Sequence, residues 1–211
     1  MSLAKLRTDH DDIRIDPYRL YLVVRRGAFT DLATGGELAG AAAVACVRGF
    51  EVPGEWRERP GKVTLRARTG GQWEQVLQLP HACAGDAVAA LPPMRRSERP
   101  ELLTKLQAMS TSLDPPPESA PSDERLTYAL NPRITMSSGK TLAQIAHAAV
   151  MAAERLPAWA DAGCPAWVTL PSPAAFDALS PCVAEVVDTG LTEVPPGTVT
   201  VRALAPAILA G

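Results

Sequence analysis

Runs and spacings of apolar residues divide the chain into short strands and amphipathic helices. RLYLVVRR (19–26), rich in Leu and Val, has the pattern of a buried strand. GGELAGAAAVACVRGF (35–50) predicts a helix and KVTLRA (62–67) a second strand. QWEQVLQL (72–79) predicts a short helix, DAVAAL (86–91) a strand and PELLTKLQAM (100–109) a closing helix. After a break the order recurs. LTYAL (126–130) is a strand, MSSGKTLAQIAHAAV (136–150) a helix, AWVTL (166–170) a strand and PAAFDAL (173–179) a short helix. VAEVVDT (183–189) and GTVTVRAL (197–204) complete the set as strands. Parallel strands need crossover helices, and both halves supply them. The expected fold is therefore α/β: two tandem lobes, 18–109 and 125–211, each a small mixed β-sheet packed by helices. Between them STSLDPPPESAPSDE (110–124), with three consecutive prolines, predicts a semi-rigid linker.

The halves also align residue by residue. GGELAGAAAVACV overlays SGKTLAQIAHAAV at an offset of 103, Val63-Thr64-Leu65 overlays Val168-Thr169-Leu170 at 105, and Leu91-Pro92-Pro93 overlays Leu204-Ala205-Pro206 at 113. The last jump falls where the second half carries VVDTGLTEVPPG and the first only HACAGD, so the first lobe is expected to lack a segment. The lobes are expected to pair as an internal pseudo-dimer.

Composition narrows the class. A chain of 211 residues, 46% hydrophobic, builds a core without help from disulfides or metal. Net charge of -2 argues against wholesale coating of nucleic acid, although residues 1–110 carry 16 basic against 13 acidic side chains and the rest 5 against 10. If an anionic polymer binds, arginines of the first half are the likelier docking surface; a solvated charged face is the alternative. Cys46, Cys83, Cys164 and Cys182 are scattered, without metal-ligand spacing, and read as reduced thiols; no metal and no cofactor are expected. No signal peptide or membrane-spanning run is present, which fits a soluble cytoplasmic chain without a membrane partner.

Candidate chemistry concentrates in two stretches. In Met136–Val150, Ser138 is the expected N-cap, which puts Gly139 and Lys140 in the first turn. A lysine there opposes the helix dipole, so it either points into water or joins the free N–H groups in holding an anion. Lys140, Gln144 and His147 lie at i, i+4 and i+7, one face of a helix otherwise built of alanine. The overlaid helix of the first half has Glu37, Ala41 and Val44 instead, so packing alone does not require the polar line. His147 by itself also fits a structural histidine. In VVDTGLTEVPPGTVTV (186–201), Asp188 ends an apolar strand before Gly190, with Thr192 four residues on. A general base and an Asx turn both produce that pattern.

Together the two stretches resemble the archaeal/eukaryotic-type, or type 2, peptidyl-tRNA hydrolase family. Members carry a segment like MxxGKxAAQxxHAA and, later, one like DAGxTxxxPGTxTVLxIGP; this chain has MSSGKTLAQIAHAA and DTGLTEVPPGTVTVRALAP. The resemblance covers residues 126–206. It implies metal-free hydrolysis of the ester joining a peptide to the 3′ ribose of tRNA, with peptidyl-tRNA as partner. It implies catalytic positions at Lys140, Asp188, Thr192 and His147, and substrate-binding positions at Gly139, Gln144, Arg133, Gly190 and Thr198. Family members generally act as dimers. The first half then reads as a degenerate copy that takes the place of a second subunit, and a homodimer of the whole chain is the further expectation. One departure stands out: the family's first strand ends in Arg-x-Asp, where this chain has Asn131 and Arg133. A catalytically inactive RNA- or nucleotide-binding or protein-interaction module of the same fold is the alternative.

Overall fold

A computed structural model describes residues 16–190 and 193–207. The first lobe is built on β1 (Tyr18–Arg25), β2 (Gly61–Ala67), β3 (Ala82–Ala84), β4 (Val88–Arg95) and β5 (Gln107–Ala108), in the order β3-β4-β1-β2-β5. The second has β6 (Leu126–Leu130), β7 (Ala166–Thr169), β8 (Ala184–Asp188) and β9 (Thr198–Leu204), in the order β7-β6-β9-β8. Strand directions match as well: β1 runs parallel to β2 and antiparallel to β4, as β6 runs parallel to β7 and antiparallel to β9. The chain is thus a mixed α/β protein of two lobes, with β5 added at one edge.

The long helices, α1 (Leu32–Gly49) and α5 (Ser138–Arg155), join the lobes. Each packs on the other and on its own sheet, and each also reaches the opposite sheet: α1 touches β7, and α5 touches β2. Small residues permit the crossing. A methyl on Gly36 would lie 2.6 Å from Ile145 Cδ1 and 3.0 Å from Val168 Cγ2. As a result the apolar cores are shared, with Val44 buried among second-lobe residues and Leu142, Ala146 and Val150 among first-lobe ones.

A second repeated device fixes the end of each crossover. The short helices α2 (Gly54–Glu58) and α6 (Pro157–Asp161) follow α1 and α5, and each buries a tryptophan. Trp56 Nε1 donates to Gly61 O and Trp159 Nε1 to Pro165 O, both at 2.9 Å. Gly61 begins β2 and Pro165 immediately precedes β7, so each indole sets where the next strand starts.

Several expectations change. Helix α1 begins near residue 32 because Asp31 caps it, its carboxylate accepting from Thr34 N at 2.7 Å; the expected start at 35 misplaced the cap. The expected helix over 100–109 is only α4 (Glu101–Lys105), since β5 pairs with β2 and ends it. The shorter first-lobe segment is as expected: β3, in the same place as β8, joins β4 through residues 85–87, whereas residues 189–197 separate β8 from β9. The overlay of Val63-Thr64-Leu65 on Val168-Thr169-Leu170 is one residue out of step. Leu22 pairs with Thr64 and Tyr128 with Val168, and Leu22 and Tyr128 both face the helices, so Thr64 is the counterpart of Val168. A one-residue slip exchanges the faces of a strand. α3 (Gly70–Val76) and α7 (Pro173–Ala178) complete the helices.

Residues 110–124 are bonded to both lobes. Asp114 N donates to Thr30 O and Leu32 N to Asp114 O, each at 2.9 Å. Farther along, Leu170 N donates to Pro117 O at 3.1 Å, and Trp167 Nε1 to Ser119 Oγ at 2.9 Å. The proline-rich stretch is a strap whose carbonyls and hydroxyls pair polar groups of β7. Among the described residues no helix is long and apolar enough to cross a membrane.

Replacing Trp56 by Phe removes the indole donor to Gly61 O, whereas Trp159→Phe removes one of two donors to Pro165 O, which keeps Leu126 N at 3.2 Å. Each change is expected to cost about 1 kcal/mol in urea unfolding, with Trp56→Phe the larger.

Candidate functional site

Asp188 is the last residue of β8, and its side chain is only 6% exposed. Three donors converge on it. Lys140 Nζ forms a hydrogen-bonded ion pair with Oδ2, Gln144 Nε2 donates to the same oxygen at 2.6 Å, and Gly190 N donates to Oδ1 at 2.8 Å. Gln144 is fixed in turn by Thr200 of β9, whose hydroxyl lies 3.2 Å from Gln144 Oε1 and from Val186 O. Gly190 has φ +78°, and a Cβ there would lie 2.6 Å from the Pro196 ring nitrogen, so the turn needs glycine twice over. The carboxylate therefore closes the Asx turn and also faces the α5 polar line.

The electrostatics follow. Burial pushes the Asp188 carboxyl upward, but hydrogen bonds from Lys140, Gly190 and Gln144 and the lysine charge outweigh it and hold the group below its ordinary value. Asp188 is an ionised, well-solvated-by-protein anion and a weak base in this arrangement. His147, one turn beyond Gln144, lies within electrostatic reach of Asp188 and of Lys62 in β2. Burial, with the Lys62 charge, brings the imidazole down to about 3, so it is neutral at physiological pH.

The start of α5 differs from expectation. Ser137, not Ser138, is the N-cap, its Oγ accepting from Lys140 N at 3.2 Å. Ser138 Oγ instead accepts from Leu113 N at 3.0 Å. The helix N-terminus already holds an anion: Glu193 accepts from Ser137 N at 2.6 Å and from Ser137 Oγ at 2.7 Å. A carboxylate there satisfies the dipole. The anion expected at this end is thus a protein carboxylate, and Lys140 reaches across to Asp188.

The other candidates are placed as follows. Gly139 is buried where a Cβ would come within 2.6 Å of Met109 O, so its smallness serves packing of α5 against the end of the first lobe. Arg133 is not brought to the Lys140–Asp188 pair; it grips Asp177 of α7 through both terminal nitrogens, at 2.9 and 2.6 Å. Asn131 is a strand terminator, donating to Val199 O at 2.7 Å and accepting from Arg133 N. Thr198 sits opposite Asp188 in the ladder and turns its hydroxyl to Pro195 O at 2.7 Å. Thr192 lies outside the described residues. Sequence reasoning missed Glu193, Thr200 and Lys62. Glu193 directly follows Thr192 and carried no periodic signal, while Thr200 and Lys62 are recognisable only once strands β9 and β2 are set against α5.

A cavity of about 630 Å³ lies between the lobes, lined by Ala41, Val44 and Arg48 of α1, by Cys83 and Ala84, and by Ala160 and Cys164 of the second lobe. Ala41 and Val44 are the residues that overlay Gln144 and His147. Among the described residues no group of three or more His, Cys, Asp or Glu side chains could hold a metal ion.

Asp188→Asn should destabilise the protein by about 2 kcal/mol near neutral pH, because it removes the charge that Lys140 and Gln144 bind. A carboxyl whose folded value is depressed contributes stability above its unfolded value of about 3.9 and loses it as pH falls through the folded one. The difference between wild type and Asp188→Asn in urea unfolding should therefore shrink below about pH 4. No family model, no curated protein and no solved structure matches this chain.

Proposed function

We propose that the chain is a peptidyl-tRNA hydrolase-like protein, with its site in the second lobe and a degenerate first lobe in the position of a second subunit. One observation carries the reading: residues from the two separated motifs, Lys140 and Gln144 from the first and Asp188 and Gly190 from the second, meet in a single hydrogen-bonded cluster. That cluster is absent from the equivalent place in the first lobe, where the packing residues persist.

In this reading the substrate is an activated ester, and attack by water needs a stabilised oxyanion more than a strong base. Lys140, held at the edge of the cluster by Asp188, is the cation for the tetrahedral oxygen. Asp188 fixes the ammonium and orients the incoming water. Neutral His147 offers one ring N–H and one lone pair to the ribose hydroxyls. A binding module without turnover is the second reading, favoured by the saturation of Asp188 with three donors.

The assay is release of peptide from N-blocked aminoacyl-tRNA. Wild type should hydrolyse it, and Lys140→Ala and Asp188→Ala should each lose about a hundredfold or more in kcat. Neither Asp188 nor His147 titrates near neutrality, so kcat should be flat between about pH 5 and 8. A bell-shaped profile centred there would contradict these roles. Binding of tRNA with no release above background would decide for the second reading.

A further inference from the structure

Strand β2 carries an unusual row on the face that meets α5. Lys62, Thr64 and Arg66 alternate there with the sheet's other face, opposite Leu20, Leu22 and Val24 of β1. Three of their polar atoms, Lys62 Nζ, Thr64 Oγ1 and Arg66 Nε, are buried without a hydrogen-bond partner. Lys62 Nζ lies 4.8 Å over the ring of Trp56, and an Arg66 terminal nitrogen is bonded to Thr111. A buried donor left unmade costs on the order of 1–3 kcal/mol, and a charged one more. Such a row has to be offset by something the fold gains from it.

The second lobe supplies the comparison. Counterparts of Lys62, Thr64 and Arg66 on the strand that meets α1 are Ala166, Val168 and Leu170, all apolar. The strand side of one seam is therefore apolar, and that of the other is polar. Against β2, α5 sets Leu142, Ala146 and Val150 in the first lobe's core, with His147 and Glu154 within electrostatic reach of Lys62.

We propose that Lys62 and Arg66 form a phosphate-binding wall of the candidate site, so that the lobe without its own active residues completes the site of the other. The ligand class is the phosphodiester backbone at the 3′ end of an RNA, which deepens the hydrolase reading and rests on it for the choice of RNA. Lys62 and Arg66 bring positive charge and unmade N–H bonds, and Thr64 between them brings a hydroxyl. The ligand side of this pairing is an acceptor-rich anion. His147, on the helix that packs against β2, lies within electrostatic reach of both Lys62 and Asp188 and so links the β2 row to the Lys140–Asp188 cluster. The other charged groups facing Lys62 are Glu154 of α5, which pulls its ammonium towards the charged form, and Arg57, paired to Glu154 at 3.6 Å. Burial brings the Lys62 amine down to about 7, so an arriving phosphate meets a group that gains its full charge on binding.

The test uses the full chain, with the trinucleotide CCA as the main probe and AMP and inorganic phosphate as smaller ones, titrated calorimetrically at two or more salt concentrations. Wild type should bind CCA. Lys62→Met and Arg66→Met should each weaken binding about tenfold and lower the slope of log K against log salt by about one. Thr64→Val, which reproduces the second-lobe residue, should weaken it less, and Lys105→Met on exposed α4 should leave it unchanged. Lys62→Met should also raise the urea midpoint, since methionine needs no acceptor. Equal binding by wild type and both methionine variants, or no binding of any probe by wild type, would overturn the wall. Hydrolysis with an unaltered KM in Lys62→Met would overturn it while leaving the hydrolase standing. Lys62-dependent binding without hydrolysis would do the reverse.

Discussion

The crossing of α1 and α5 is the constraint from which the rest follows. Each helix lies on its own sheet and against the other lobe's, so neither sheet is covered without the partner half. Close approach demands small residues at the crossing, and Gly36, with Ala39, Ala42, Ala43, Ala146 and Ala149 fully buried nearby, meets the demand. Once the helices are locked, their faces turned away from the crossing meet β2 and β7. What the helices and strands carry there sets the two seams apart: an apolar row on β7 and a polar row on β2.

Within the polar seam, positive and negative groups are ordered along α5. Glu193 takes the helix N-terminus, which frees Lys140 from that role, and Lys140 extends instead to Asp188. Gln144 binds the same carboxylate oxygen and is itself held by Thr200, so β8, β9 and α5 all bear on a single anion. Such fixed geometry suits stabilisation of charge more than proton transfer, since neither Asp188 nor His147 has proton affinity near neutral pH.

Much of this was legible in the sequence, for identifiable reasons. Long elements with clear periodicity, such as 136–150 and 19–26, announced themselves, and the recurrence of strand and helix order gave the two-lobe α/β plan. Short elements did not. Trp56 and Trp159 sit in helices of only five residues, each tied by its buried indole to a carbonyl five or six residues farther on. β3 and β5 exist by pairing, with no pattern of their own. The cap was misplaced by one residue because two adjacent serines are equivalent as sequence and only packing assigns Ser138 to Leu113. Lys140, Gln144 and Asp188 could be nominated from spacing, whereas Lys62 could not: on a half-buried strand an isolated lysine reads as surface until the opposing helix is known.

The cavity beside Ala41 and Val44 gives the tandem arrangement a further meaning. Two identical chains related by a twofold axis must repeat every residue, so any group that disfavours folding at one seam does so again at the other. A single chain with two unlike lobes escapes that symmetry. Here the β7 row serves cohesion, while the buried Lys62 ammonium and Arg66 Nε on β2 occur in one lobe and not at the matching positions of the other.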